Sequence, residues 1–329
     1  MGNEVLESTR FLVEEPKYVF INREKLEETA KKFADEKLEM PDWHMPVFLE
    51  GNSKEVIDFF FLGNTINFCY DDFRRSRDKK IKFEASYNGA PYKGATGMWA
   101  CLKKAYEGDF PELLDGDFLS DISKFEMEKI FEGNIRIPLF DERLNIFREV
   151  GQVLCENYDG HFYNLVEDSD NRLFNDGEGL VERLTSEFPS FDDSAHYDGK
   201  LVIFDKRAQL APAMTYGRFR GEGLMAMEDI DELTVFADYV LPKGLRGLGI
   251  LTYDKSLADK VDNSIEIPRH SREELEIRAS TIHACKMLID RINEIKGPGS
   301  INALHVDYKL WGATRKLPGE HHLTYSTDY

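Results

Sequence analysis

The sequence predicts a mainly α-helical protein with a small β element, and three observations predict it. Helix caps and helical spacing recur along most of the chain. Strand signals are confined to a few short runs. Of the 329 residues, 42% are hydrophobic, with 23 Phe and 14 Tyr, enough apolar surface for a sizeable core and too much for a disordered polypeptide. Length alone allows one large domain or two smaller ones. No internal repeat, low-complexity tract or Pro/Ser-rich linker divides the chain, so residues 1–329 read as a single domain.

In chain order, YVFI at 18–21 suits a short strand. Asn22 caps a helix through KLEETAKKFADEK, and Ser53 another that enters VIDFFFL, because short polar side chains accept the free N–H groups of a first turn. Ile81, Phe83, Ala85 and Tyr87 alternate with polar residues and lead into Asn88-Gly89, the pattern of a hairpin with a two-residue turn. Ser123 and Glu126 have capping-box spacing, and the helix they open is expected to stop at Gly133. Phe140, Leu144, Phe147, Gly151 and Leu154 form one buried stripe of a helix ending near Asn157. The stretch from Asp168 to Gly179 is expected to be a flexible surface segment, and LVIF at 201–204 a strand. Ser271, boxed by Glu274, opens a long helix that runs to Lys296 before Gly297-Pro298-Gly299. Leu275, Ala279, Ile282, Cys285, Ile289 and Ile292 face one way along it.

Charge excludes some functions. Lys and Arg number 42 against 61 Asp and Glu, a formal net of −19, which repels phosphodiester polymers and anionic membranes. No nucleic-acid partner is expected, whereas a small anionic ligand in a locally basic pocket remains open. The most apolar run, Val56 to Tyr70, contains Asp58, Asn64 and Asn67 and is too short and polar to span a bilayer. The start, MGNEVLESTR, has no signal-peptide pattern, and Leu6 stands where a myristoylation signal wants Ser or Thr. Cys69, Cys101, Cys155 and Cys285 are far apart with no CxxC pair, so neither disulfides nor zinc are expected. These features describe a reduced, soluble, cytoplasmic protein and leave its oligomeric state open.

Signature motifs are absent: there is no GxxxxGK[ST], no GxGxxG after a strand, no HExxH and no GxSxG. GRFRGEG (217–223) and GLRGLG (244–249) lack the βαβ setting of a phosphate loop. His305, Asp307 and the adjacent pair His321-His322 form no metal-ligand pattern, since neighbouring histidines rarely point at one ion. Three segments carry chemistry. Asp205-Lys206-Arg207-Ala208-Gln209 follows LVIF directly, and position alone favours a solvated exit over an inward-facing site. Asp238 lies in the apolar stretch Leu233–Pro242; a carboxylate there must be paired, protonated or used, so a structural ion pair or helix cap stands beside an active-site acid. Asp307, Tyr308 and Trp311 could recognise a cationic or ring-shaped ligand, although the pattern alone favours an amphipathic element with Tyr and Trp in the core.

These segments also carry a family resemblance. The chain resembles the queuosine salvage proteins, the queuosine 5′-phosphate N-glycosylase/hydrolases, over about 260 residues. The resemblance runs from NFCY (Asn67–Tyr70) through YNGAPYKG, RIPLFDERLNIFREVGQVL (136–154), FPSF (188–191), KRAQ (206–209) and LTVFADYVLPKGLRGLGIL (233–251). It continues through ELEIRASTI (274–282) and VDYKLW (306–311), while residues 1–50, the N-terminal helical part, match only loosely. It implies a helical, DNA-glycosylase-like architecture and hydrolysis of the N-glycosidic bond of queuosine 5′-monophosphate, releasing queuine for tRNA modification. It implies a small-molecule nucleotide substrate, no metal and no organic cofactor.

By this resemblance Asp238 is the catalytic acid. Cleaving a ribosyl C–N bond builds positive charge on the sugar, and a fixed anion beside it stabilises that state, as nucleophile or as water activator. Lys206 matches an active-site lysine that contacts the nucleotide or keeps Asp238 ionised. Phe236 matches a residue lining the base site, and Asp307 and Tyr308 match positions that bind queuine. His44 corresponds to a histidine near the base, with a one-residue slip in the alignment left open, and with it the idea that the N-terminal helices close over the pocket. Arg207, Lys243 and Arg246 are candidates for the 5′-phosphate on composition only. Three departures stand out: Gly312 where the family usually has Asp after LW, Asn64 where an acid is expected before the NF pair, and a different tail, HLTYSTDY (322–329). The loss of an acid at Gly312 keeps open the same chemistry on another 7-deazaguanine nucleotide or nucleoside, or a non-catalytic binding protein.

Overall fold

The computed structural model describes residues 3–74, 80–314 and 317–329. Among them the elements run α1 (Glu4–Glu14), β1 (Val19–Ile21), α2 (Arg23–Ala34), α3 (Lys54–Thr65), β2 (Asp71–Asp72), β3 (Ile81–Lys82), β4 (Glu84–Tyr87) and β5 (Ala90–Lys93). There follow α4 (Ala95–Glu107), α5 (Gly116–Asp121), α6 (Lys124–Ile130), α7 (Phe140–Asn157), α8 (Phe162–Asp168), α9 (Leu180–Glu187), β6 (Ser194–Tyr197) and β7 (Lys200–Ile203). The last are α10 (Lys206–Phe219), α11 (Val240–Gly247), β8 (Leu251–Tyr253), α12 (Lys255–Asp262), α13 (Arg272–Lys296) and α14 (Ala303–Thr314). The strands pair only in twos, all antiparallel: β1 with β8, β2 with β3, β4 with β5 and β6 with β7. No sheet forms a layer among the described residues, so the body is helix on helix with a small β element, as the sequence predicts.

Local signals set most of these boundaries. The Asn22 carboxamide accepts from the Glu24 and Lys25 N–H groups, and Ser123 and Glu126 form a reciprocal capping box. Ser271 accepts from Glu274 N–H, but the Glu274 carboxylate reaches one residue further, to His270 N–H. Ser53 starts α3 without a side-chain cap bond. The stripe on α7 is buried as expected. Asn88 and Gly89 both adopt positive φ, 48° and 76°, the geometry of the tight hairpin turn.

Three expectations are corrected. α6 ends at Ile130 rather than at Gly133; Gly133 serves instead as a contact, since a Cβ there would lie 2.5 Å from the Phe83 ring. Ile81 is exposed and pairs with Asp72 in a separate ladder, so the buried alternation begins at Phe83. The stretch after Asp168 is irregular and mostly exposed, as expected of a surface segment, but it is anchored: Leu173 is fully buried, and the Asp229 carboxylate accepts the N–H groups of Leu173 and Phe174.

The core is one continuous apolar cluster from Val5 to Leu310. In α3, Val56 to Thr65 are all buried, the mark of a helix surrounded by protein, and each of its phenylalanines contributes about 2 kcal/mol on burial. Gly63 lets α4 approach, because a Cβ there would sit 2.0 Å from the Trp99 ring. α13 is likewise buried on all sides from Glu273 to Ile282, and most of its polar groups there find partners inside the protein, Ser280 Oγ and Glu274 Oε1 being left without a hydrogen bond. The glycines that mimic phosphate loops are helix contacts: Gly217 in α10 meets Pro41 and Trp43, and Gly244 in α11 meets Thr314. Among the described residues no helix is long and apolar enough to cross a membrane, and the four cysteines are unbridged.

Candidate active site

A pocket opens between the starts of α4, α10 and α11 and one face of α14, concave and mostly apolar with a few convergent polar groups, as small-molecule sites are. Its walls are largely aromatic, including Trp43, Phe48, Tyr70, Trp99, Phe236, Tyr239, Tyr308 and Trp311. Its polar groups are few: Lys206, Asp238, Asp307, Asn67 and Thr96. Among the described residues that line it, Lys206 is the one cation.

Lys206 is the first residue of α10, and its side chain is buried, with Nζ donating to the Asn67 carbonyl at 3.3 Å. The cluster after LVIF therefore turns inward; the solvated exit favoured by position is corrected. Asp205 takes a left-handed conformation, φ 51°, and the Lys206 N–H is accepted by Asp193 Oδ2 at 3.1 Å. Burial drives the Lys206 amine down to about 8, against the upward pull of Asp238.

Asp238 ends the irregular run after Leu233 and precedes α11. Its Oδ1 accepts from Val240 N–H at 2.7 Å and Leu241 N–H at 3.1 Å. The helix-cap expectation is thus met, and the same carboxylate also lines the cavity. Burial raises its pKa above the ordinary carboxylate value; the Lys206 charge and the two N–H groups pull the other way. Asp307, on α14, is buried and accepts from Phe236 N–H at 3.0 Å, which ties the helix to the wall bearing Phe236 and Asp238. Burial pushes Asp307 up to about 8, helped by the nearby Asp238 charge, which favours the protonated form that can donate a hydrogen bond.

Of the predicted residues, Lys206, Phe236, Asp238, Asp307 and Tyr308 are brought together around one cavity. Tyr308 is exposed at the mouth and Trp311 is half-buried, so the core placement favoured by their pattern is corrected. His44 is exposed, lies 3.3 Å from Asp42 and is outside the lining; its neighbours Trp43 and Met45 form that wall instead. The phosphate candidates also point elsewhere: Arg207 into the core, Arg246 to Asp262 at 2.6 Å, with Lys243 likewise outside the lining. His305 meets Asn302, His321 lies against Asp71, and His322 meets Tyr329, so the histidines serve separate partners.

Sequence reasoning missed several wall residues. Asn67 and Tyr70 were inside the NFCY motif but had no assigned role. Arg143 holds their loop by donating to the carbonyls of Ile66, Phe68 and Cys69. Tyr70 OH donates to Asn67 Oδ1 at 2.7 Å, and Asn67 Nδ2 to Asn64 Oδ1 at 3.0 Å, so Asn64 acts here through an amide network. Tyr329 had no sequence signal; the tail brings it to the cavity, its carbonyl accepting Cys69 N–H at 3.1 Å.

Fold and site define a helical protein with an aromatic-walled cavity carrying two carboxyls and one lysine. A family model described as queuosine salvage protein matches residues 47–327, and the chain belongs to that family. Similar proteins include the queuosine 5′-phosphate N-glycosylase/hydrolase of Sphaerobacter thermophilus, 36% identical over 314 residues, which are 95% of this chain and 93% of that protein. The Dictyostelium discoideum protein of the same name is 30% identical over 99% of this chain and 98% of its own length. That of Mus musculus is 30% identical over 94% and 92%.

Proposed function

We propose that this protein is an N-glycosidase that hydrolyses queuosine 5′-monophosphate, releasing queuine for reuse in tRNA modification in the cytoplasm. The observation that carries the reading is the meeting of Asp238 and Lys206 in one aromatic cavity, in a chain whose relatives bear that activity in their names. A free nucleotide suits a protein of net charge −19 better than a nucleic acid does.

In this reading the 7-deazapurine stacks against Phe236 while neutral Asp307 donates a hydrogen bond to it and Tyr308 covers it from the mouth. Asp238 sits beneath the ribose. As the C–N bond breaks, its electron pair leaves with the base and the carboxylate stabilises the positive charge on the sugar. A water activated by Asp238 then attacks the anomeric carbon, or Asp238 attacks first and water cleaves the resulting ester. In either case the sugar takes the water's OH and the base its proton. Helix α11 and the two N–H bonds fix the acid's direction, so little reorganisation is needed during the reaction. Lys206, the cation in the cavity, keeps Asp238 ionised against the cost of burial or meets the nucleotide's phosphate.

The test is to incubate the protein with queuosine 5′-monophosphate and resolve products by liquid chromatography with mass detection, with Asp238→Asn in parallel. Turnover by the wild type and a loss of about 10³-fold in the variant are expected. Intact substrate with folded wild type would reject the reading. Gly312, exposed with open space around its Cα, favours as second reading a 7-deazaguanine nucleotide without queuine's cationic side group, and such a nucleotide belongs in the same assay.

A further inference from the structure

Arg278 and Asp193 form an ion pair whose side chains are 0% and 1% exposed, and neither lines the cavity. Burying such a pair gains little stability over an apolar pair of similar size, so its contacts matter more than its charge. They lead to both sides of the site. Asp193 grips the entry to α10 twice: its carbonyl accepts Phe204 N–H at 3.0 Å, and its Oδ2 accepts Lys206 N–H at 3.1 Å. Between them lies the left-handed Asp205, a conformation that needs such support.

Arg278 takes the same carboxylate through Nη1 and Nη2, at 2.8 and 2.5 Å, and donates Nε–H to the Ala237 carbonyl at 3.3 Å. Ala237 is the centre of a tight turn closed by Asp238 N–H on the Phe236 carbonyl at 2.7 Å. The rings of Phe204 and Tyr329 lie 3.9 and 4.5 Å from the guanidinium carbon and restrain its plane. One rigid group therefore joins the peptide before Asp238 to the carboxylate that holds Lys206.

We infer that Arg278, with Asp193, is a positioning residue that sets the separation and orientation of Asp238 relative to Lys206. The inference rests on the roles proposed above for those two residues. Lysine cannot replace it: a single ammonium has neither the planar fork for a carboxylate nor a third donor aimed sideways at Ala237. Lys206 faces the charges of Asp238, Arg207, Asp193 and Asp307. If Asp238 drifts away, the attraction that favours the ammonium weakens and the amine loses its proton at lower pH.

The test compares wild type, Arg278→Lys and Asp193→Asn, each checked for folding by circular dichroism and thermal melting. Misplacement of reacting groups by about 1 Å costs on the order of 100-fold, so kcat falls by tens-fold or more while KM changes by less than about 3-fold. The alkaline limb of the kcat profile moves to lower pH. A folded Arg278→Lys protein with wild-type kcat and an unmoved limb overturns the inference. Asp193→Asn keeps an oxygen for Lys206 N–H and carries the test through kcat alone if Arg278→Lys does not fold, because losing the Asp193 charge by itself lowers the Lys206 pKa. If neither folds, the pair is a stability element and the positioning role is rejected. A second readout needs no turnover: reductive ¹³C-methylation of the lysines, with the Lys206 signal assigned by its loss in Lys206→Met and titrated by NMR. A shifted titration in Arg278→Lys with an inactive wild type would sink the proposed reaction and keep the positioning role, whereas an active wild type with no shift and no loss of kcat would do the reverse.

Discussion

Lys206 and Arg207 are adjacent, cationic and both buried, yet they belong to regions that treat charge in opposite ways. Arg207 turns into the core, where its guanidinium nitrogens meet the carbonyls of Thr65 and Ser190. Arg143 is held in the same manner by the carbonyls of Pro138, Ile66, Phe68 and Cys69. These arginines tie loops together away from the cavity lining, and the donor Arg207 leaves unpartnered, Nε, is buried in the core. Lys206 has one carbonyl partner at 3.3 Å and otherwise faces a cavity with two carboxyls. Burial therefore does not mark function by itself. What distinguishes the site is a buried charge with spare hydrogen-bonding capacity directed at a space that a ligand fits.

The largest effect that would break this comparison is at Lys206. Lys206→Met should fold and lose about 100-fold or more in kcat. The wild-type profile should fall on the acid side through a pKa above the ordinary carboxylate value, as Asp238 takes a proton. It should fall on the alkaline side near 8, as Lys206 loses one. The residual activity of Lys206→Met should lose the fall near 8 and keep only one at higher pH, where Asp307, freed of the Lys206 charge that lowers it, ionises. Persistence of that limb at the same pH would transfer it to Asp307, which also titrates at about 8, and would remove Lys206 from the ionisation that matters.

Arg207→Met should show the opposite signature. Two buried carbonyls lose their donor, at a cost of about 2–4 kcal/mol measurable by urea unfolding. Turnover per folded molecule should stay within about 3-fold of wild type. Because the Arg207 charge lowers the Lys206 pKa, its removal moves the alkaline limb to higher pH. Full stability with a collapse in kcat would place Arg207 with Lys206 and erase the distinction between the two regions.

The sequence could not separate these neighbours. KRAQ shows two cations after an apolar run, and which one turns toward the cavity depends on the Asp205 turn and on Asp193, thirteen residues upstream of Lys206. What was legible was local: the caps at Asn22, Ser123 and Ser271 and the α7 stripe all depend on residues within a few turns. The pairing of β1 with β8 joins residues 19–21 to 251–253, which no window reveals. Asp238 stood out because an acid in an apolar stretch is costly, and that argument holds wherever the chain goes. Tyr329 carried no such anomaly, and its place in the wall follows from the path of the tail. His44 shows the limit of motif transfer: a shift of one residue exchanges an exposed histidine for Trp43 and Met45 in the wall.

The smallest effect tests the outer rim at Gly312, where the resemblance leads one to expect an acid. Gly312 lies in the last turn of α14, next to Trp311 of the cavity wall, and a Cβ added there would meet no atom within 4 Å. Gly312→Asp therefore introduces the carboxylate that the resemblance leads one to expect, without steric cost. Its stability terms nearly cancel, since leaving glycine favours the helix by about 0.5 kcal/mol and a negative charge at a helix C-terminus opposes it by about as much. An exposed acid gains roughly 0.2–1 kcal/mol against a cationic partner, so KM for queuosine 5′-monophosphate should fall about 2- to 5-fold with kcat unchanged. A 7-deazaguanine nucleotide without the cationic side group should gain nothing. Equal gains for both nucleotides, or none for either, would show that this rim does not read the side group, and the choice of base would then rest on Asp307 and the aromatic walls.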